Sequence, residues 1–339
     1  VLPAGNLDLG WAQQNGLKLV DGEHGDGKLV ADKFADDVHI DIGDDHFVAD
    51  TMLCLPLGCI SEIAGVPVAG ILGTNYLNDR VIRVDYIRGT VERQSPAGFT
   101  YGGPGVQVPL LLSRARVAAT LVMISPSHAE PFGAVAILDT GCNYDFLVSA
   151  ELATQAGLSA EPIDIQRRAC NVQGWTQEVE HLALTRSISV GPATFSPPHV
   201  TIGSTPFAMP MLIGGGALYD YVVIIDYARC RIILEPNPEA LPRRQSELGL
   251  LMDDRSGGEG ATVRWLDPGL AGARAGVRVG DVLIKIEGES IKEMSSREWS
   301  ERHAKAVRER RPFLFTVQRE GRDIEVAIPA PEEPSSNHR

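Results

Sequence analysis

Ala134-Val135-Ala136-Ile137-Leu138-Asp139-Thr140-Gly141 is an apolar run that stops on a carboxylate, a hydroxyl and a glycine. The run reads as a strand in a covered sheet. A carboxylate at the end of such a strand is costly to desolvate unless it has a partner or a task. Alone, Asp139 could be an ordinary turn residue, since Asp is common where chains turn. The sequence on either side argues otherwise.

Trp11-Ala12-Gln13-Gln14-Asn15-Gly16-Leu17 recurs as Leu152-Ala153-Thr154-Gln155-Ala156-Gly157-Leu158, at an offset of 141 residues. A second pair of anchors keeps that offset. Ile71-Leu72-Gly73 leads through Tyr76-Leu77 to Val84-Asp85-Tyr86, and Leu212-Ile213-Gly214 leads through Ala217-Leu218 to Ile225-Asp226-Tyr227. Two distant anchors with one offset imply an internal duplication, with a unit of about a hundred residues. The Gly-, Pro- and Ser-rich stretch from Ser95 to Gly105 joins the copies.

Each copy reads as mostly β. Val38-His39-Ile40-Asp41-Ile42 alternates with period two, and Arg116 to Ile124 and Gly133 to Leu138 are short apolar runs. Segments Ala150–Ala156 and Trp11–Asn15 read as one short helix in each copy, closed by Gly157 and Gly16. After the Pro-rich joint Pro236–Pro242 a third region reads strand, loop, strand, helix, strand, strand. Its helix is expected near Ser296–Arg308 and its last strands at Phe313–Gln318 and Asp323–Ile328. The tail from Pro329 to Arg339 has the composition of a disordered segment.

A length of 339 residues gives a prior of two to three domains. With 44% hydrophobic and 22% charged residues the chain can build real cores. A net charge of −13 argues against a general nucleic-acid binder, which needs a basic face. No run of 18 apolar residues is present, so no transmembrane helix is expected. The five cysteines, Cys54, Cys59, Cys142, Cys170 and Cys230, are odd in number and lack metal-like spacing, which argues against a disulfide scaffold or a zinc site. The first residue is Val1, so the sequence reads as processed or truncated, and the presence of a signal peptide or membrane anchor stays open.

With Asp139-Thr140-Gly141 preceded by an apolar strand, followed by a helix and completed downstream by Leu212-Ile213-Gly214, the first 235 residues resemble a retropepsin-like aspartic protease. The resemblance implies a mainly β fold of two pseudo-symmetric lobes. It also implies an aspartic-type endopeptidase (EC 3.4.23.-), a hydrolase that uses two carboxylates and needs no cofactor and no metal. Close together, the carboxylates hold one proton between them; one activates a water and the other protonates the scissile carbonyl. By this resemblance Asp139 is catalytic. Thr140 would brace the loop through its hydroxyl, and Gly141, Gly73 and Gly214 would let backbones pack closely. A flap hairpin would cover the substrate, with its turn at Asn171–Trp175, including Gln173, Gly174 and Trp175, and a second at Asp21–Gly27 in the first copy.

The 141-residue offset places the counterpart of Asp139 just before Val1. The expectation is therefore a chain truncated at its start, with a half-site completed by a second chain as the variant. Asp8-Leu9-Gly10 is no substitute, because it stands too close to the helix-ending Gly16. A non-catalytic peptide-binding protein on a degenerate protease fold is the other reading.

Glu247-Leu248-Gly249-Leu250, Ala271-Gly272-Ala273-Arg274-Ala275-Gly276-Val277 and Gly280-Asp281-Val282-Leu283 together resemble a PDZ domain of the bacterial, protease-linked kind. This implies that Leu248, Gly249 and Leu250 form the loop that receives a peptide C-terminus, or an internal strand, with the Ser296–Arg308 helix as the other groove wall. The expected divisions are lobe one at 1–96, lobe two at 106–236, the PDZ domain at 247–328 and the tail at 329–339. The expected partners are a peptide or unfolded-protein substrate and a PDZ ligand. A bacterial periplasmic or cell-envelope location is implied by analogy alone.

Other motifs read as ordinary surface or packing. Gly22–Lys28 has the spacing of a phosphate loop, but Leu29 stands where Ser or Thr should be, so it reads as a polar hairpin tip. Asp36, Asp37, His39, Asp41, Asp44, Asp45 and His46 read as a solvated strand face in place of a metal site. Arg308-Glu309-Arg310-Arg311 reads as a solvated helix end, and Cys142 as a small packing residue.

Overall fold

A computed structural model describes residues 5–21, 33–112, 117–171, 174–195, 199–205, 209–240, 248–253, 260–292, 294 and 296–330. The turn expected at Gly22–Gly27, the phosphate-like spacing beside it, Gln173 and residues 331–339 lie outside them.

The first repeat runs β1 (Asn6–Asp8), α1 (Leu9–Gln14), β2 (Leu19–Asp21), β3 (Lys33–Ile42), β4 (Asp45–Leu55), α2 (Gly58–Ala64), β5 (Gly70–Ile71), α3 (Thr74–Leu77), β6 (Val81–Asp85) and β7 (Thr90–Gln94). The joint carries β8 (Val106–Pro109) and β9 (Leu111–Leu112). The second repeat runs β10 (Ala118–Pro126), β11 (Phe132–Asp139), β12 (Phe146–Val148), α4 (Ala150–Gln155), β13 (Ala160–Asn171), β14 (Gly174–Val190), β15 (Ala193–Phe195), β16 (His199–Ile202), β17 (Met211–Gly214), α5 (Gly215–Leu218), β18 (Tyr221–Asp226) and β19 (Arg231–Pro236). The third region holds β20 (Leu250–Met252), β21 (Ala261–Leu266), α6 (Ala271–Arg274), β22 (Val282–Ile286), β23 (Glu289–Ser290), α7 (Ser296–Arg308), β24 (Phe313–Arg319) and β25 (Arg322–Ile328). The chain is mainly β, as the patterning predicts.

The short helices end as read. Asp8 caps α1 by accepting from the Trp11 amide at 2.8 Å, and Ser149 caps α4 by accepting from Leu152 at 3.2 Å. Gly16 (φ +70°) and Gly157 (φ +64°) then turn the chain left-handed, where a side chain would be strained.

The duplication has a structural signature in the register. β6 and β18 pair antiparallel, with Val81 opposite Asp226, Arg83 opposite Ile224 and Asp85 opposite Val222. Each repeat's residue thus faces the counterpart of its partner's other end, which places a local twofold axis at the Arg83–Ile224 pair. The five-stranded sheet so formed, β7-β6-β18-β19-β8, takes strands from both repeats and from the joint. Its two faces are covered by different clusters. Val223, Ile225, Ile232 and Leu234 pack into the large core of the second repeat, while Val81, Val222, Ile224 and Ile233 pack against Phe99 and Tyr101. Cover on both faces explains why Tyr221–Ile225 reads as an unbroken apolar run.

The repeats also share a strand pattern around their glycine anchors. Leu147 opposes Leu212 in β12–β17, and their counterparts Asn6 and Ile71 oppose each other in β1–β5. β17 has β12 on one side and β11 on the other. Its counterpart β5 pairs with β1 and is the edge of its sheet among the described residues.

Cysteine parity misleads in one respect. Cys59 on α2 and Cys170 on β13 form a disulfide across 111 residues. The joined elements meet only in the assembled fold, so chain spacing could not announce the bond. Cys54, Cys142 and Cys230 are free thiols. Alkylation under denaturing, non-reducing conditions should therefore label three cysteines, and all five after reduction. Labelling of five without reductant contradicts the pairing.

Candidate functional site

β11 delivers Asp139 to the junction of the two repeats. The strand runs parallel to β17, with Ile137 beside Leu212, Leu138 beside Ile213 and Asp139 beside Gly214. Ala136, Ile137 and Leu138 are buried, and Asp139 itself is half-buried at the strand end. Its Oδ1 accepts from the Gly141 amide at 3.0 Å, and its carbonyl accepts from Cys142 at 3.2 Å. The carboxylate is thus held by the turn it opens, with exposed Thr140 and Gly141 at the crest.

Three consecutive glycines form the shelf under this loop. The amides of Gly214, Gly215 and Gly216 donate to the carbonyls of Asp145, Cys142 and Tyr144 at 2.9, 2.6 and 3.1 Å. A Cβ on Gly214 would stand 2.1 Å from the Tyr144 carbonyl, and one on Gly216 would stand 2.3 Å from Asp145 Oδ1. Close backbone approach is therefore what these glycines supply. Gly73, the counterpart of Gly214, is buried, and its carbonyl accepts from Tyr76 and Leu77 at the start of α3. The Thr140 hydroxyl makes no hydrogen bond among the described residues, so the expected brace is not formed by this chain's own loop.

Around the loop stand groups that sequence reading passed over. The Tyr144 hydroxyl bonds Glu180 of β14, a carboxylate only 2% exposed, which ties the loop to the base of the β13–β14 hairpin. Tyr86 follows β6 of the first repeat and stands near Asp139 and Cys142. Burial, and then the charges of Asp139 and Cys142, push its phenol up to about 12. The Cys142 thiol is pushed up to about 11, chiefly by burial, and it packs beside Ile137, Leu147 and Leu212. A thiol so raised stays protonated, which favours the packing reading over a redox role. Only the duplication could have pointed to Tyr86, since it lies within the anchor Val84-Asp85-Tyr86.

Asp85 and Asp226 are structural. Asp85 Oδ1 accepts from the Ile87 and Arg88 amides at 3.1 Å and from Asn237 Nδ2 at 3.0 Å. Asp226, fully buried, holds Arg229 and Arg231 at 3.1 and 3.0 Å. Asp8, besides capping α1, accepts from the Leu57 amide at 3.0 Å through its other oxygen. In the acidic strand face, Asp41 pairs with His46 at 2.7 Å, Asp36 accepts from Thr51 at 2.9 Å, and Asp45 holds Tyr76 and Arg93.

The candidate flap turn joins β13 to β14, with Asn171 paired to Gly174 and Cys170 to Trp175. The Cys59–Cys170 disulfide fastens this end of the hairpin to α2 of the first repeat.

In the third region, the Leu248 carbonyl accepts from Gly272 at 2.9 Å and the Gly249 carbonyl from Asp267 at 2.7 Å, which pins the loop to the start of α6. Gly249 has φ +71°, and a Cβ there would stand 2.4 Å from Leu270 Cβ. β20 follows directly and is an edge strand of its sheet among the described residues. A small pocket opens between this loop and α7, lined by Leu248, Ala271, His303, Val307, Phe313 and Ile328. Sequence reading placed α7 and the last two strands but missed the short helix α6 and the two-residue strand β23.

Residues 240–308 match the PDZ domain family, whose members bind peptide C-termini or internal strands. No curated protein sequence matches the chain significantly. Among solved structures, a retropepsin-like aspartic protease from Rickettsia conorii is 15% identical at a TM-score of 0.30, covering 40% of this chain and 95% of that one. Basic 7S globulin from soybean is 13% identical at 0.31, covering 60% and 67%. Conglutin gamma from lupine seeds is 11% identical at 0.31, covering 69% and 82%. At such values these likenesses assign no activity.

His303 lines that small pocket with its ring 5.2 Å from Phe313, and burial lowers its proton affinity below the ordinary value of 6.5. On acidification the unfolded chain binds this proton first. Stability is therefore fully present above about pH 6.5 and lost as pH falls below it. The unfolding midpoint of the wild type should drop between about pH 7 and pH 5.5, and His303→Gln should flatten that drop. Equal slopes in both proteins contradict the assignment.

Proposed function

We propose that the chain is an aspartic-type endopeptidase whose substrate-handling is assisted by a PDZ domain. Asp139 is half of the catalytic pair, residues 1–96 and 106–236 are the two lobes, and 247–328 is the peptide-binding module. The observation that carries this reading is the register of Asp139 beside Gly214, in a chain whose two repeats pair about a local twofold axis. A carboxylate held there by its own turn would face its dyad-related partner across the lobe junction. The matching place in the first lobe would lie along β5, which is the edge of its sheet among the described residues, as β17 lies beside β11 in the second. The second carboxylate would be supplied by sequence preceding Val1 or by Asp139 of a second copy.

The chemistry follows from proximity. Two carboxylates at hydrogen-bond distance cannot both ionise cheaply, so they share one proton. The ionised member takes a proton from a bound water as it attacks the peptide carbonyl. The protonated member donates to the carbonyl oxygen, and the tetrahedral species then collapses with proton transfer to the amine. No covalent intermediate forms. The hairpin ending at Gln173, Gly174 and Trp175 would lie over the bound chain, and Leu248, Gly249 and Leu250 would receive a peptide end. The Cys59–Cys170 disulfide suits an oxidising compartment such as the bacterial periplasm.

A second reading, a peptide-binding protein without catalysis, is favoured by the single Asp-Thr-Gly in the sequence. Hydrolysis of a denatured protein by the full-length form separates the two. Asp139→Asn should lower the rate by at least ~10³-fold, because it removes one member of an acid–base pair. Equal hydrolysis by both proteins rejects the peptidase reading.

A further inference from the structure

Tyr86 belongs to the first repeat but stands at the loop of the second. Because Asp85 pairs with Val222 at the start of β18, the residue after β6 is carried against the segment that precedes β18, which is the glycine shelf. The site on Gly215 where a Cβ would stand is 3.4 Å from Tyr86 Cε1, 3.3 Å from the Cys142 carbonyl and 3.7 Å from the Thr140 carbonyl. The phenol ring and the Asp139–Cys142 turn thus close on one small volume from opposite lobes. Tyr219 flanks the ring at 6.5 Å.

The Tyr86 hydroxyl is buried and has no hydrogen-bond partner among the described residues. Buried hydroxyls are nearly always paired, so this one points to an acceptor that arrives from outside. Burial, and then the nearby Asp139, disfavour a phenolate, so the hydroxyl is a donor throughout the range in which proteins work.

We infer that Tyr86 is a substrate-binding residue, donating a hydrogen bond across the lobe junction to a carbonyl oxygen of an extended peptide held at Asp139. This rests on the peptidase reading for the place of the peptide. The ligand class is an uncharged acceptor on a peptide backbone. An anionic group is disfavoured there, because Asp139 stands beside the donor.

The test uses the full-length protein and a dye-labelled peptide, blocked at both ends, with a secondary alcohol in place of the scissile amide. Tyr86→Phe keeps the ring and removes the donor. It should weaken binding roughly five- to twentyfold while the unfolding midpoint stays at the wild-type value. Tyr227→Phe, the counterpart change at the other end of the duplication, should leave the affinity unchanged. With tyrosine labelled at Cζ, the wild-type Tyr86 resonance should shift when the probe binds, a readout that needs no variant. Equal affinity of wild type and Tyr86→Phe, an equal loss in Tyr227→Phe, an unmoved Tyr86 resonance or no binding by the wild type overturns the inference. Hydrolysis by wild type against Asp139→Asn reports separately on the peptidase reading, so either can fail alone.

Discussion

The antiparallel pairing of β6 with β18 is the constraint from which the rest follows. Its register, symmetric about Arg83 and Ile224, sets equivalent strands of a linear duplication against each other about a local twofold axis. The pairing is closely buried: Val81 and Val223 are fully shielded, Ile224 is 1% exposed and Ile82 and Val222 are 3% exposed. Each such side chain contributes on the order of 1.5–3 kcal/mol by leaving water. Four or five of them make separation of the halves costly. That is why Tyr86 of one repeat can stand at the Thr140–Cys142 loop of the other.

The two halves are unequal in what they bury. The second repeat owns a large core that includes Phe146, Phe195, Ile188, Met211 and Leu218. The first has a small one, with Leu7, Ala12, Ala35, Val38, Ala49 and Met52 at its centre. Small side chains cover less apolar area, so the first repeat depends more on its attachments. Three are present. The shared sheet is one, and the Cys59–Cys170 disulfide is another. The third is the C-terminal domain, where α7 touches α2 and β21 touches β13. The disulfide and the PDZ contacts thus converge on α2 and on the hairpin that ends near Trp175.

What the sequence reveals, and what it hides, follows from how locally each feature is determined. The helix ends at Gly16 and Gly157 are local, because only a residue without Cβ turns there at little cost. The duplication is legible because Gly73 and Gly214 each open a short helix, and Asp85 and Asp226 each cap a turn. The Asp139 loop was legible because a carboxylate after five apolar residues needs a reason. The disulfide was not, since Cys59 and Cys170 meet only through the fold. Glu180 was hidden because a buried carboxylate on a long strand looks like any solvent-facing one until Tyr144 reaches it. Tyr86 looked like an anchor of the repeat; its role at the junction depends on which strands pair across the axis.

Hydrogen exchange of backbone amides in the native protein tests the shared sheet most directly. If β6 and β18 bind the halves into one body, Ile82 and Val84 should exchange with the same free energy as Val223 and Ile225, through the global unfolding reaction. Amides of β6 that open with the rest of the first repeat, several kcal/mol below those of β18, would contradict the account and detach Tyr86 from the Asp139 loop.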